Sequence, residues 1–229
     1  MPRSATLHGS APDENPIALL VVDLISDFRF EDGARLARVA RRIARPVAKL
    51  CVRARRAGVP VIYVNDNRGR WRSDRTQLIE RCLRADSLGK RIVEQLAPDP
   101  RDYFIFKPKH SGFFATPLAA LLEHLGTRTL IIAGLTVEQC VLFTAIDAYV
   151  RDFQLVVPRD CVGGLQLTTP SLLHMERILK AKVISSARVR FPSQPVQAAR
   201  DSAKPNGARP RTRSTRARNR GAGVSARAQ

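Results

Sequence analysis

A chain of 229 residues, 44% of them hydrophobic, is long enough to form one α/β domain with a sizeable core. No stretch reaches the roughly 18 consecutive apolar residues that a membrane helix needs, and the N-terminus lacks the apolar region of a secretory signal, so a cytoplasmic protein is expected. The formal net charge of +19 suggests nucleic-acid binding. Whether a folded domain or a disordered segment would bind depends on where the charge lies along the chain.

The positive charge is densest toward the C-terminus. From Ser193 to the end the sequence holds nine Lys and Arg residues against one acid, Asp201, so this part contributes +8 of the +19. It contains few large apolar side chains and cannot bury enough surface to fold on its own. Residues 191–229 are therefore predicted to be a disordered basic tail, residues 1–15 a flexible N-terminus and residues 16–190 the folded domain. Nucleic acid is expected to bind only non-specifically, through the tail.

Between these two ends, apolar runs alternate with stretches of helical periodicity. Pro46 is expected to kink or split the first predicted helix. Strands that alternate with helices are typical of βαβ units, so the fold class is predicted as α/β, with a mainly parallel central sheet and helices on both faces. In chain order the patterns predict a strand at 17–22, a helix at 34–57, a strand at 59–64, two helical pieces within 74–97, a strand at 103–106, a helix at 117–126, a strand at 129–133, a helix beginning near residue 136, a strand at 154–157, a helix at 169–181 and a short strand at 183–185.

Three reactive side chains follow three of the predicted strands. Asp23 follows the first strand, Lys107 follows the third, and Cys140 lies just past the fourth. Because ligands bind beyond the carboxyl ends of the strands in such sheets, these side chains are expected to meet at one edge. A cysteine nucleophile needs a base and a group that stabilises its charge. Asp23 is suited to accept the thiol proton and Lys107 to stabilise the thiolate.

The stretch around Cys140 has the pattern of a strand, a turn at Gly134 and a helix. Thr136 followed by Gln139 fits a capping box, which places Cys140 about one turn into the helix. The positive end of the helix is then expected to favour the thiolate, that is, to lower the pKa of the thiol. Backbone N–H groups of the turn are available for an oxyanion. Two alternatives remain open: a buried cysteine that only packs the helix, and a Cys–His pair in which His110 is the base.

The same residues lie in motifs that resemble the isochorismatase-like cysteine hydrolases, a family that includes nicotinamidases and N-carbamoyl amidohydrolases. The matching segments are 20–28 (LVVDLISDF), 107–113 (KPKHSGF) and 133–141 (AGLTVEQCV), and the resemblance covers roughly residues 16–186. It implies a Rossmann-like three-layer sandwich and a hydrolase that forms a thioester with a small-molecule substrate, usually as a homo-oligomer.

The resemblance also implies roles for particular residues. By family position, Asp23, Lys107 and Cys140 form the catalytic triad. The peptide bond between Leu135 and Thr136 is implied to be cis, with nearby N–H groups, including that of Cys140, facing the substrate oxygen. Isochorismatases that hydrolyse vinyl ethers lack the nucleophilic cysteine, so Cys140 favours cleavage of a C–N bond in an amide, ureido or carbamoyl group.

The loop after the second strand departs from the nicotinamidases. Those enzymes carry a metal site of one Asp and two His at this point, whereas the segment 65–71 (NDNRGRW) contains no histidine. Neither a metal nor another cofactor is therefore expected, and Asp66 is expected to cap the loop or to pair with a cation. Arg68, Arg70 and Arg72 are candidates for binding a substrate carboxylate, although exposed arginines are common in a chain this basic.

Four further residues are predicted to contact the substrate. These are Phe28, Asn67, Trp71 and Phe113, of which the aromatic ones either line an apolar pocket or belong to the core. Two functional alternatives also remain at this point. One is a non-catalytic family member that acts as a binding or scaffold protein through its basic tail, and the other is a hydrolase of a different small-molecule bond.

Overall fold

The computed structural model describes residues 14–72 and 74–191. The predicted flexible N-terminus and the predicted basic tail therefore lie outside the described residues, except for residues 14, 15 and 191. Asn15 is buried, and its side chain donates a hydrogen bond to the carbonyl of Gly58 (3.0 Å) and accepts one from the amide of Ile17 (2.9 Å). Among the helices of these two ranges, none is both long and apolar enough to cross a membrane.

The predicted strands and helices are all present, with boundaries that shift by a few residues. The strands are β1 (Ile17–Val22), β2 (Val61–Asp66), β3 (Tyr103–Lys107), β4 (Thr129–Leu135), β5 (Gln154–Pro158), β6 (Val162–Gly163) and β7 (Lys182–Ile184). The helices are α1 (Gly33–Arg56), α2 (Arg75–Leu83), α3 (Lys90–Leu96), α4 (Leu118–His124), α5 (Leu142–Tyr149) and α6 (Thr168–Arg177). A π-helical turn spans Val137–Val141, and a 3-10 turn spans Ser186–Arg188. The two-residue strand β6 has no counterpart among the predicted elements.

The strands form one parallel sheet in the order β3-β2-β1-β4-β5-β7, with β6 paired to β4. One face packs against α1, α2 and α3, and the other packs against α4, α5 and α6, so the fold has three layers. The predicted fold class is therefore confirmed. The chain moves outward from β1 to β3 and then returns to place β4 on the other side of β1. This reversal creates the switch point at which ligands bind in such sheets.

The strand β1 shows why the apolar runs are continuous rather than alternating. Leu19 and Val21 pack into the core under α1, whereas Ala18, Leu20 and Val22 pack into the core on the opposite face. A parallel strand covered by helices on both sides has no solvent-facing position. The run of apolar residues thus reports the position of β1 in the middle of the sheet.

The helix α1 continues through Pro46, so of the two predicted effects of this proline, a kink or a split, the split does not occur. Proline inside a helix costs about 3 kcal/mol through its missing N–H and its clash with the preceding turn. The buried side chains of Ile43, Val47 and Leu50 flank it on one stripe of the helix. Since burial of each contributes roughly 1.5–3 kcal/mol, packing against the sheet outweighs the cost of the proline.

Candidate active site

The carboxyl ends of β1, β3 and β4 bring the three predicted reactive side chains together. Asp23 directly follows β1, and Lys107 is the last residue of β3. The Nζ atom of Lys107 lies 2.9 Å from Oδ2 of Asp23 and 3.4 Å from Sγ of Cys140. Lys107 comes from the edge strand and reaches past β2 to do this. One ammonium group therefore contacts both the carboxylate and the sulfur.

The ammonium group of Lys107 is completely buried and is compensated by two carboxylates. Asp23 forms the closer ion pair, and Oδ2 of Asp66 lies 3.7 Å from Nζ. Burial by itself lowers the pKa of Lys107, but Asp23, Cys140 and Asp66 together outweigh burial and raise that pKa above its ordinary value. The lysine is therefore positively charged at neutral pH, next to the sulfur.

The thiol of Cys140 is held in its protonated form, so the prediction of a lowered pKa is wrong. Burial, followed by the negative charge of Asp23, raises the pKa of Cys140 from 9.0 to about 12. Lys107 acts in the opposite direction but does not overcome these two effects. The local sequence pattern indicated the helix but not the burial of the sulfur.

The turn that carries Cys140 also differs from the predicted capping box. The side-chain oxygen of Thr136 is buried and has no hydrogen-bond partner among the described residues, so it does not cap the helix. Instead the carbonyl of Thr136 accepts hydrogen bonds from the amides of Gln139 (3.0 Å) and Val141 (3.1 Å). The second bond spans five residues and defines a π-turn, a feature that often occurs at functional sites.

The strand β4 approaches β1 very closely just before this turn. A Cβ atom on Gly134, which has φ +124°, would lie 2.0 Å from the carbonyl oxygen of Val22, so only glycine fits. The predicted strand stopped before Gly134, but β4 continues to Leu135 because β6 pairs with both residues. The peptide bond between Leu135 and Thr136 is cis, as the resemblance implied.

The loop after β2 is organised by Asp66 and Asn67. The amide of Asp66 donates a hydrogen bond to Oδ1 of Asp23 (2.7 Å), and its own Oδ1 accepts one from the amide of Arg68 (2.6 Å). Asp66 thus both caps the loop and faces a cation. Asn67 is buried, and its Oδ1 accepts a hydrogen bond from the amide of Gly69 (2.9 Å). Among the described residues, no cluster of three or more His, Cys, Asp or Glu side chains is arranged to hold a metal ion.

The three aromatic candidates have different environments. Phe28 is 2% exposed and packs in the core under α1, and Phe113 is 6% exposed and packs near Phe153 with ring centroids 6.1 Å apart. Both are core residues, which was the alternative that the sequence left open. Trp71 is 77% exposed and lines a surface cavity together with Arg70. Size and apolarity alone did not distinguish these environments.

His110 lies near the sulfur of Cys140, although no acidic residue adjoins it in the sequence. Its Nδ1 atom is 3.9 Å from Sγ of Cys140, and its exposed ring packs against Phe143 with centroids 5.4 Å apart. Its position three residues after Lys107 was the signal that placed it in the same loop. His110 is therefore a neighbour of the Cys140 sulfur. Asp23, by contrast, is paired with the buried ammonium of Lys107.

Thr144 links the loop of His110 to the turn of Cys140, and the sequence analysis did not single it out. It is completely buried, its hydroxyl donates to the carbonyl of Cys140 (2.6 Å), and it accepts a hydrogen bond from the amide of Gly112 (2.9 Å). The spacing of four residues after Cys140 is the local signal for the first of these bonds. The second depends on a loop 32 residues away.

Comparison with known proteins identifies the family. The family model described as Isochorismatase domain matches residues 17–188, which include every residue of the site described above. The chain belongs to the isochorismatase family.

Among its relatives, the isochorismatase family protein YaaI of Bacillus subtilis, itself uncharacterized, is 37% identical over 174 residues, covering 75% of this chain and 95% of YaaI. The ureidoacrylate amidohydrolase RutB of Methylorubrum extorquens is 28% identical over 180 residues, covering 65% of this chain and 70% of RutB. The solved structure of N-carbamoylsarcosine amidase from Thermoplasma acidophilum has a TM-score of 0.61 and 27% identity, covering 77% of this chain and 99% of the amidase. This isochorismatase-family protein is a hydrolase.

The protonated state of Cys140 leads to an expected pH profile for alkylation. Because the thiolate is the reactive form and the pKa of Cys140 is raised to about 12, the rate of its modification by iodoacetamide should rise roughly tenfold per pH unit between pH 7 and 10. Intact-mass spectrometry followed by peptide mapping measures that rate. Cys51, Cys82 and Cys161 are buried in the folded protein and serve as internal controls. A rate that is already constant below pH 8 would show that the thiolate forms at neutral pH.

Proposed function

We propose that this isochorismatase-family hydrolase cleaves a C–N bond in a small amide, ureido or carbamoyl compound, through a thioester on Cys140. The observation that carries the proposal is the position of the Lys107 ammonium, 2.9 Å from the carboxylate of Asp23 and 3.4 Å from the sulfur of Cys140. A purely structural cysteine would not need a fully buried ammonium beside it, because burying a charge is costly.

In the first step Asp23 accepts the thiol proton while the sulfur attacks the substrate carbonyl. The raised pKa of Cys140 means that the thiol keeps its proton until the substrate arrives, so proton transfer and attack are coupled. Lys107 stabilises the negative charge as it moves from the carboxylate to the sulfur and onward to the carbonyl oxygen. The ammonium is already in place and is shielded from water, so little reorganisation is required.

In the second step the tetrahedral intermediate collapses to a thioester. Backbone N–H groups near Thr136 and that of Cys140 hold its oxyanion. The protonated Asp23 returns its proton to the nitrogen, and ammonia or an amine leaves. Asp23 then removes a proton from water, and the resulting hydroxide attacks the thioester carbonyl. The C–S bond breaks, the product acid or carbamate leaves, and Asp23 returns the proton to the thiolate of Cys140.

The site chemistry argues against a resident metal ion in this proposal. Asp66 is the carboxylate at the position where nicotinamidases begin their metal site, but here it faces the ammonium of Lys107 and caps the amide of Arg68. The loop that follows contains Arg68, Arg70 and Arg72 and no histidine. A divalent cation would have to displace these contacts in a positively charged surrounding.

The names of two relatives support the choice of bond. RutB of M. extorquens is a ureidoacrylate amidohydrolase, and the T. acidophilum protein is an N-carbamoylsarcosine amidase. Both names describe release of nitrogen from a carbonyl carbon. We carry that reaction class, and not either substrate, over to this chain.

A substrate panel tests the proposal. Wild type and Cys140→Ser protein are incubated with primary amides, ureido acids and N-carbamoyl amino acids, and ammonia release is measured. At least one class should release ammonia with wild type and not with the variant. If no compound shows release that depends on Cys140, the protein is better explained as a binding or scaffold protein.

Deletion of residues 193–229 should leave hydrolysis intact, whereas a scaffold acting through its tail would lose its function.

The proximity of His110 to the sulfur makes a Cys–His pair the competing mechanism. We expect His110→Ala to lower kcat less than about tenfold, because the exposed ring is 3.9 Å from Sγ and Asp23 remains as the base. We expect Asp23→Asn to lower kcat by about a thousandfold or more. Rates of ammonia release between pH 6 and 9 distinguish the two mechanisms. A larger loss in His110→Ala than in Asp23→Asn would assign the base to His110.

A further inference from the structure

A cavity lined by arginines is connected to the candidate active site through Asp66. It has a volume of about 210 Å³ and lies between the loops that follow β1 and β2 and the helix α2. Asp66 forms part of its wall and also lies 3.7 Å from the ammonium of Lys107. Pockets for drug-sized ligands measure about 300–1,000 Å³, so this one suits a small metabolite.

The charge of this cavity is strongly positive. Five arginines and two aspartates, Asp27 and Asp66, line it, and one of the arginines, Arg29, forms an ion pair with Asp86 outside the lining. The apolar part of the wall comes from Ile25, Leu78 and Phe106. A pocket with an apolar wall and more arginines than carboxylates in its lining fits a small organic anion better than a neutral molecule.

Arg68 and Arg70 are the arginines that are best suited to hold such an anion. Within residues 14–72 and 74–191, neither forms an ion pair with a carboxylate. The guanidinium of Arg68 is held by neutral groups instead, 3.8 Å above the ring of Phe30 and 3.3 Å from the hydroxyl of Ser26. Its position is therefore set without neutralising its charge.

The backbone of the loop is also fixed where these two arginines begin. Asp66 accepts the amide hydrogen of Arg68, and the carbonyl of Asn67 accepts that of Arg70 (2.9 Å). The amide of Asn67 in turn donates to the carbonyl of Lys107 (3.0 Å). The two arginines thus sit on a loop tied directly to the residue that contacts the sulfur.

We propose that Arg68 and Arg70 bind the carboxylate of the substrate in this cavity, so that the substrate is a ureido or carbamoyl acid rather than a neutral amide. The planar guanidinium group matches a carboxylate in a bidentate arrangement. This inference rests on the proposed hydrolysis at Cys140 for the reacting end of the molecule. The carboxylate end rests on the cavity alone.

The test compares acids with neutral analogues of the same length. N-carbamoylglycine, 3-ureidopropionate and 4-ureidobutyrate are each assayed beside the corresponding methyl ester and alkylurea, with ammonia release as the readout. The wild type should prefer at least one acid over its neutral analogues by about tenfold or more in kcat/KM. Arg68→Gln or Arg70→Gln should remove that preference by lowering kcat/KM for the acid about ten- to a hundredfold, with little change for the neutral compounds.

Arg72→Gln is the matched control. Arg72 is an exposed arginine of the same loop, it lies outside the wall of this cavity, and its replacement removes the same charge. It should change the preference less than about threefold, as expected for a screened surface charge. Equal losses in all three variants would indicate a general electrostatic effect and would overturn the assignment. Equal rates for acids and neutral analogues in wild type would overturn it as well.

A binding measurement separates this inference from the proposed reaction. The Cys140→Ser protein is titrated calorimetrically with 3-ureidopropionate and with 4-ureidobutyrate, alone and combined with Arg68→Gln or Arg72→Gln. Saturable binding that is lost with Arg68→Gln and kept with Arg72→Gln supports the carboxylate site, even if the wild type releases no ammonia. Lack of saturable binding by either acid overturns the site, whatever the result with other substrates.

Discussion

Replacement of Cys140 by serine is expected to lower kcat for ammonia release by about 10⁴-fold or more. Loss of a nucleophile from a catalytic triad removes the reaction path through the covalent intermediate, and losses of that size are typical. Serine is nearly the same size, and the hydrogen bond from Thr144 goes to the backbone carbonyl of residue 140, so the turn should be retained. The melting temperature should therefore stay close to that of wild type.

A second measurement on the same variant tests the covalent step directly. Wild type mixed with an active substrate and quenched in acid should show a mass increase on the peptide that contains Cys140, and Cys140→Ser should not. Cys161→Ala serves as the control, since Cys161 is completely buried just after β5. It should lose stability by creating a small cavity and keep its activity. Activity retained in Cys140→Ser, or lost equally in Cys161→Ala, would contradict the thioester mechanism.

Replacement of Lys107 by methionine should reduce both activity and stability. Methionine fills similar space but leaves the partly buried carboxylate of Asp23 without its ammonium partner, 2.9 Å away in wild type. Removing one partner of a buried ion pair costs roughly 3–5 kcal/mol in the free energy of unfolding, and the 16% exposure of Asp23 should keep the loss at the lower end of that range. The rate should fall about a thousandfold or more, because the charge that stabilises the thiolate is lost. Urea unfolding and ammonia release measure the two effects.

The chain provides a matched control two residues away. Lys109 is exposed in the loop that follows β3, and Lys109→Met removes the same charge, so both effects should be small. The double variant Asp23→Asn, Lys107→Met should regain part of the lost stability and none of the activity. If the double variant is no more stable than Lys107→Met, the ion pair does not account for the loss.

The pH dependence of this effect follows from the raised pKa of Lys107. A group whose pKa is higher in the folded protein stabilises the fold fully below its ordinary value, here 10.5, and loses that contribution as the pH rises through the higher value. The difference in unfolding free energy between wild type and Lys107→Met should therefore be constant from pH 6 to 9. It should shrink only above about pH 10.5. If the difference is already lost when the pH rises from 6 to 8, the buried lysine is neutral at pH 8, which would contradict the raised pKa of Lys107.

The proximity of Asp23, Lys107 and Cys140 could be predicted because it depends only on where parallel strands end. Apolar runs report strands that are buried on both faces, and alternation with helices makes those strands parallel. All parallel strands end at the same edge, so residues that follow them share that edge. Local pattern and one topological rule were sufficient for the fold and for the identity of the three side chains.

Properties that depend on tertiary contacts could not be predicted in this way. Whether Pro46 breaks α1, whether Thr136 caps a helix and which aromatic residues are buried all depend on neighbours that are distant in the chain. The pKa of Cys140 shows the reason most clearly. The helix terminus was visible in the sequence, but burial and the charge of Asp23, 117 residues earlier in the numbering, decide the protonation state. Periodicity specifies which residues face inward, whereas electrostatics depends on how deeply they are buried and on what stands beside them, and only the packed tertiary structure determines both.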